Sequence, residues 1–291
     1  MPPPPASRRT ARLMLAPALG MLAGWMLVPL AMTLWFSLQR YTLITSGAQG
    51  FAGLENYRYF ITDPAFAPSL GNTLALVLGV LALTLPGGLG IALVLAQPFW
   101  GRGVVRALVL APFFIMPSVS ALVWKTMLLH PMSGLLAHLA RSLGLQPFDF
   151  LSQAPLATLI ALLAWQWVPF VALILLTALQ SLDPAQIEAA RLDGAGPAAR
   201  LRHLILPHLG RAIAVAVLIQ TIFLLSTFAE ILVTTNGGPG TASTTLTYLV
   251  YIQSLLQFDP GTGAAGGILA VLLANAVAIF LMRLIGRALE R

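Results

Sequence analysis

The sequence predicts an all-α polytopic membrane protein with six transmembrane helices and one short helix in the cytoplasmic loop between the fourth and fifth. Three observations lead there. Of its 291 residues 58% are hydrophobic and 9% are charged, whereas a soluble domain carries about a quarter charged residues. So few charges cannot cover a water-facing surface, and lipid is the natural solvent. Six apolar stretches, about 13–38, 70–96, 107–124, 155–182, 212–235 and 264–282, approach or exceed the roughly 20 residues a helix needs to cross a bilayer core of about 30 Å. The arginines gather at the ends of these stretches, where they orient a chain in a membrane.

The elements follow in order. Residues 1–12 are proline-rich and then basic (Ser7-Arg8-Arg9-Thr10-Ala11-Arg12), an unstructured N-terminal tail ahead of a membrane domain at 13–291. A cleaved signal would have an apolar core of only about 7–15 residues. Here the run continues through Trp25, Pro29 and Trp35 to Leu38, so it reads as an uncleaved first span. The third stretch ends at Lys125, whose ammonium can reach the headgroups. The outer segments, about 39–69, 126–154 and 236–263, have room for short helices but not for a receptor domain. Neither an internal repeat nor a second domain is evident.

Orientation follows from basic residues. With both termini inside, the inner segments hold twelve arginines: Arg8, Arg9, Arg12, Arg102, Arg106, Arg191, Arg200, Arg202, Arg211, Arg283, Arg287 and Arg291. The outer segments hold four basic residues, Arg40, Arg58, Lys125 and Arg141. That asymmetry places the 183–211 loop in the cytoplasm. It also accounts for the net charge of +7 without nucleic acid as a partner.

Several chemistries are excluded. The chain has no cysteine, so thiolate metal sites, disulfides and thiol nucleophiles are absent. Its only lysine, Lys125, follows no glycine-rich loop, so the chain cannot cradle and hydrolyse ATP. No His-Glu-x-x-His or Gly-x-Ser-x-Gly pattern occurs. His130 and His138 are eight apart in an outer segment, a poor pair for a metal. His203 and His208 flank Leu206-Pro207 and read as facing water or headgroups. Neither catalytic residues nor a cofactor are expected.

The polar loop has its own grammar. Asp183-Pro184-Ala185-Gln186 is a helix start, with Asp as N-cap, Pro at the first position and Gln three after the cap. The helix should run through Ile187 to Asp193 and stop at Gly194, a residue tolerant of positive φ. Pro197 permits a second short helix, which Pro207 should end or kink. Within it, Glu188-Ala189-Ala190, three residues, Gly194, nine residues, then Leu204-Ile205-Leu206-Pro207 closely resembles the cytoplasmic coupling loop of ATP-binding-cassette (ABC) importer permeases. Leu204 in place of the usual Ile is the one departure.

Further stretches resemble the carbohydrate-uptake branch of that family, the maltose and glycerol-phosphate type: Gly53-Leu54-Glu55-Asn56-Tyr57, Asp63-Pro64-Ala65-Phe66, Asn72-Thr73, Ala111 to Pro117, and Thr234-Thr235-Asn236-Gly237-Gly238-Pro239. The end of the chain, from Asn236-Gly237-Gly238-Pro239-Gly240 to Leu281-Met282-Arg283, looks most like permeases for sugar alcohols such as sorbitol and mannitol. The resemblance implies a second permease subunit, two ATPase subunits, a periplasmic or extracellular substrate-binding protein, and a bacterial inner membrane. It implies that Glu188 anchors ATPase docking, that Ala189 and Ala190 keep the contact thin, and that Gly194 permits the turn. Asp193, Leu206 and Pro207 complete the coupling set.

A solute path is sought among polar residues within the spans, which are costly there and tend to face a cavity. Trp165 and Gln166 in the fourth span qualify, with Gln220, Thr221, Ser226, Thr227 and Glu230 in the fifth. Sugars suit aromatic faces combined with amides and hydroxyls. The same residue types also bond neighbouring helices, and Trp165 and Trp167 fit an interfacial belt. Glu230 reads first as an interface or helix–helix partner, near the outer end of its span. The alternative function, an ion-coupled secondary transporter, needs intramembrane charges or broken helices at the midplane. Glu230 is the one candidate charge for it.

Overall fold

The computed structural model describes residues 5–44 and 47–289, with side chains described except at 5–9, 11, 47–49 and 284–289. Residues 1–4 of the tail, and the side chains of Arg8, Arg9, Arg287 and Arg291 used in the charge argument, lie outside that description. In order, the elements are α1 (Pro5–Ser37), β1 (Gln39–Thr42), β2 (Gly47–Phe51), α2 (Glu55–Thr62), α3 (Phe66–Ala96), α4 (Arg102–Phe114) and α5 (Pro117–Val123). Then come α6 (Leu135–Ser142), α7 (Phe150–Gln153), α8 (Pro155–Leu179), α9 (Pro184–Leu192) and α10 (Pro197–Arg200). Last are α11 (Leu206–Leu225), α12 (Ala229–Thr234), α13 (Leu246–Tyr251) and α14 (Pro260–Leu289). Wider π turns at Trp124–Leu128, Leu201–Ile205 and Ile252–Leu256 extend α5, α10 and α13. The antiparallel β1–β2 hairpin was not anticipated; it pairs Tyr41 with Ala48 and Thr42 with Gly47.

Among the described residues five helices are long and apolar enough to span: Arg12–Ser37, Phe66–Ala96, Pro155–Leu179, Pro197–Leu225 and Pro260–Arg283. A bent pair, Arg102–Phe114 with Pro117–Leu128, makes a sixth when counted as one span. The expected all-α six-span architecture therefore holds, with four corrections to its parts. Residues 5–12, expected to be unstructured, extend α1 toward the N-terminus. Pro5 at the first helical position loses no hydrogen bond.

The second correction is the third stretch, expected as one span at about 107–124, which turns by 100° between Arg102–Phe114 and Pro117–Leu128. Pro117 drives Met116 out of the helical region, to φ −57° and ψ 133°, and restarts the helix as its first residue. The third is the fifth stretch, expected at 212–235. Its helix runs from Pro197 to Leu225, breaks at Ser226–Phe228, and resumes as α12. Ser226 donates its hydroxyl to the Phe223 carbonyl at 2.8 Å, a local bond that competes with helix continuation. The fourth is Pro207, which does not end its segment: the helix that starts at Pro197 runs on through it to Leu225. In the π turn before it, the Leu206 N–H reaches back to the Leu201 carbonyl. That wider spacing leaves room for the proline ring.

The chain packs as two compact units, residues 1–63 with 249–271 and residues 64–248 with 272–291. In the first, Asn56 donates to the carbonyls of Ser37 and Gln39, both at 2.8 Å. Phe60 is fully buried, and a side chain at position 266 would run into its ring, so Gly266 lets the backbone approach. Asp259 caps the start of α14 through the Thr262 N–H at 3.0 Å.

The second unit is organised on α3 and α8. A Cβ at Gly88 would lie 2.6 Å from Val171, and one at Gly79 would lie 2.9 Å from Ile160. Small residues thus bring the two helices close, and van der Waals packing holds them where lipid removes the hydrophobic drive. Two buried clusters follow this seam: Leu76, Val80, Leu162, Leu163 and Leu224 in one, Ala92, Val171, Leu175 and Leu209 in the other. Lys125, expected to reach the headgroups, instead donates to the Val233 carbonyl at 2.9 Å. It caps the last turn of α12, where a cation offsets orphan carbonyls.

Candidate functional site

The 183–194 segment is built from local rules. The Asp183 carboxylate accepts from the Ala185 N–H at 2.9 Å, and Pro184 opens α9. At the other end Gly194 takes φ +76°, which lets its N–H bond the Arg191 carbonyl (3.1 Å) while the Ala195 N–H bonds that of Ala190 (2.9 Å). This paired closure is the Schellman motif, and it needs a left-handed residue at Gly194. Nothing crowds a Cβ there, so backbone conformation alone sets the requirement.

One face of α9 is open. Glu188, Ala189, Asp193 and Gly194 are exposed and Ala190 is half-buried. Leu192, four residues after Glu188 on the same face, is 89% exposed. The motif-based selection missed Leu192; an apolar residue at that spacing in a polar loop was the available signal. Leu206 is half-buried and Pro207 exposed at the start of α11. His208 sits beside the Ala178 carbonyl at 3.0 Å and the Ser181 hydroxyl at 3.2 Å rather than facing only water.

A second feature is a cavity of about 450 Å³ where both helix breaks meet α8 and α11. The α4–α5 corner contributes Ile115 and Pro117, and the fifth-span break contributes Ser226, Thr227, Phe228 and Glu230. Its aromatic wall is Trp167, Phe170, Phe113 and Phe223. Phe113 stacks on Phe170 with centroids 5.3 Å apart, and Trp167 sits edge-on to Phe170 at 5.3 Å and beside Phe223 at 5.4 Å. Among the lining residues one is acidic, Glu230, and none is basic.

Gln166 links the wall to the corner. Its amide donates to the Ile115 carbonyl at 3.0 Å, a group that the helix break leaves without an intrahelical partner. Its own Oε1 is buried and has no hydrogen-bond partner among the described residues. Gln166, Ser226, Thr227 and Glu230 are therefore brought together around one cavity. Trp165, Gln220 and Thr221 do not line it. Trp165 is 38% exposed and lies 5.7 Å from the ring of Trp124. Gln220 is fully buried and accepts from the Thr84 hydroxyl at 3.0 Å, a bond between α11 and α3. Thr221 is buried, its hydroxyl unpaired among the described residues. Trp167, read from sequence as belt or lipid-facing, lines the cavity instead.

The motif found in α9 lies within residues 85–291, which match the family described as the binding-protein-dependent transport system inner membrane component. The chain belongs to this family. The permease is 37% identical over 242 residues to the probable ABC transporter permease protein y4oQ of Sinorhizobium fredii, covering 82% of this chain and 77% of the other. It is 32% identical over 290 residues to the trehalose transport system permease protein SugA of Mycobacterium tuberculosis, covering 97% and 91%. It is 33% identical over 279 residues to the trehalose/maltose transport system permease protein MalF of Thermococcus litoralis, covering 94% and 92%. A chain in the crystal structure of a bacterial ABC transporter that imports alginate shares its fold, with a TM-score of 0.82 at 22% identity over 97% of this chain and 96% of that one. The permease is thus a multi-pass inner-membrane ABC transporter subunit and not an enzyme. Permeases of this kind work with a substrate-binding protein and ATPase subunits.

Proposed function

We propose that this permease is one of two in an ABC importer for a neutral polyhydroxylated solute, a sugar or a sugar alcohol such as sorbitol or mannitol. The observation that carries the transport reading is α9: a rigid helix, closed at both ends by its own residues, presenting Glu188, Ala189 and Leu192 outward. Such a helix moves as a body when a protein groove closes on it. The excess of inner arginines puts both termini and this loop on the cytoplasmic side, where two ATPase subunits would engage. ATP-driven closure pushes α9 and opens the permease pair outward, the binding protein releases its solute, and hydrolysis resets the inward-facing state.

The solute class rests on the cavity. Aromatic faces suit the C–H faces of a sugar ring or polyol chain, while Gln166, Ser226, Thr227 and Glu230 offer hydrogen bonds to hydroxyls. With a carboxyl group and no basic side chain in the lining, an anionic solute finds no counter-charge. Relatives named for trehalose and maltose fit a neutral carbohydrate, while others are named for sn-glycerol 3-phosphate, so the lining and not the relatives carries the preference for a neutral solute. On the outer side, Asn72 holds the carbonyls of Thr241 (2.8 Å) and Thr244 (3.0 Å), next to the Asn236–Gly240 turn. As part of this proposal, that turn forms an outer edge that meets the binding protein or the second permease.

The test is reconstitution in lipid with the second permease, the ATPase and the binding protein, against sorbitol, mannitol, trehalose, maltose and glycerol 3-phosphate. ATPase stimulation by binding protein loaded with one neutral solute, and uptake of it, are expected. Recruitment of no ATPase would overturn the coupling assignment, and stimulation by the phosphate ester alone would overturn the solute class.

A further inference from the structure

We propose that the permease holds the headgroup of an anionic phospholipid in a cavity beneath α9. This cavity, about 680 Å³, lies between α9, α10 with its π turn, and the ends of α3 and α8. Arg191 and Arg200 line it and no carboxylate does. Neither arginine forms an ion pair among the described residues; the pair found there is Arg40–Glu55. The Arg200 Nε is buried without a hydrogen-bond partner among the described residues, so the protein leaves this guanidinium incompletely satisfied beside the cavity, and a phosphate could take charge-assisted bonds from its terminal nitrogens.

The remaining walls select the source of that phosphate. Leu93, Leu179, Leu182, Leu204 and Ile205 make an apolar lining that a hydrated free anion would leave uncovered. The glycerol backbone and first methylenes of a phospholipid would cover it. The depth also fits. The cavity opens where α3 and α8 end beside the arginine-rich loop, and on the cytoplasmic reading of that loop made above this is the inner-leaflet headgroup layer. Basic recesses between helices at that level suit acidic headgroups. The bound lipid would brace the inner face of α9, which carries Ile187 and Arg191 into this cavity. Glu188 and Leu192 would stay free on the open face.

Native mass spectrometry tests this on the full chain released from nanodiscs of equal phosphatidylglycerol and phosphatidylcholine. Wild type should retain phosphatidylglycerol preferentially. Arg191→Gln and Arg200→Gln should each lower that retention about fivefold, and the double variant roughly thirtyfold. Arg200→Lys should keep most of it, and thermal unfolding in detergent should verify that each variant is folded. Equal retention of the two lipids, or retention indifferent to both arginines in folded variants, overturns the site. Displacement by millimolar inorganic phosphate assigns the arginines to a free anion instead. Loss of the lipid when the ATPase binds assigns the cavity to a protein contact. Lipid retention needs no ATPase, so a separate pull-down of the ATPase distinguishes failure of this site from failure of the coupling reading.

Discussion

Helix α9 and the aromatic cavity are built in opposite ways. Everything that shapes α9 lies in thirteen consecutive residues, Asp183 to Ala195: a cap, a proline start and a left-handed glycine. The cavity draws on four separated stretches and forms because two helices break at the same place. A local element tolerates changes elsewhere but fails at one backbone angle. An assembled one spreads its dependence over many side chains, each contributing less. Substitutions should expose that contrast.

The largest effects belong to α9. An L-residue in the left-handed region costs roughly 1–2 kcal/mol, and a β-branched one is harder still to hold there. Gly194→Val should therefore open the Schellman closure and lower solute uptake at least tenfold, with normal membrane insertion. Gly194→Asn, which visits that region more readily, should retain most uptake. Glu188→Lys should leave the helix intact yet uncouple ATP hydrolysis from transport. Proteoliposome uptake measured beside ATPase activity reads all three. Equal uptake in Gly194→Val and Gly194→Asn would mean that the turn is not what coupling requires.

Next in size are the cavity walls. A stacked aromatic contributes about 0.5–1.5 kcal/mol beyond its buried area, so Trp167→Ala should raise the half-saturating concentration of solute up to about tenfold. Trp165→Ala, at a residue outside the cavity, should leave that concentration unchanged. Glu230→Lys should weaken uptake of the neutral solute and let glycerol 3-phosphate compete. If Trp165→Ala proves the more harmful of the two tryptophan changes, the path runs elsewhere.

The same contrast explains what could be read from sequence. The α9 caps were legible because Asp183, Pro184 and Gly194 act within their own turns. The corner at Pro117 was half legible. A proline sat in the third stretch, yet hydropathy alone could not tell a kink from a 100° bend. The break at Ser226–Phe228 carries neither proline nor glycine, so no local signal marked it. Without it, Gln220 and Thr221 qualify for the path on the same ground as Thr227, as polar residues within one span. Periodicity ranked polar residues by their cost in lipid, but only packing decides whether Gln220 meets Thr84 or an open space.

A smaller, separable effect is expected at Gln166. Gln166→Leu leaves the Ile115 carbonyl without its donor, which costs about 1–3 kcal/mol in a buried setting and should lower the unfolding temperature in detergent. Gln166→Glu removes the amide donor while keeping the shape, and should do the same. A loss of uptake with no loss of stability would show that Gln166 acts on the solute rather than on the corner.

The smallest effect is predicted at Pro207, and it sets the resemblance against the geometry. The family motif includes Leu206-Pro207, which suggests a part in coupling. In the structure the helix runs through both residues from Pro197 to Leu225, and the π turn at Leu201–Ile205 has already absorbed the proline. Alanine at this position restores a backbone N–H and relieves a ring, while leaving Leu209 buried below. Pro207→Ala should shift stability by no more than about 0.5 kcal/mol and leave coupled uptake near wild type. An uncoupled Pro207→Ala permease would mean that the wide turn transmits the motion of α9 to α11 and that the proline holds it open. In that case α9 and α11 would form one lever, and the apparent independence of α9 would be lost.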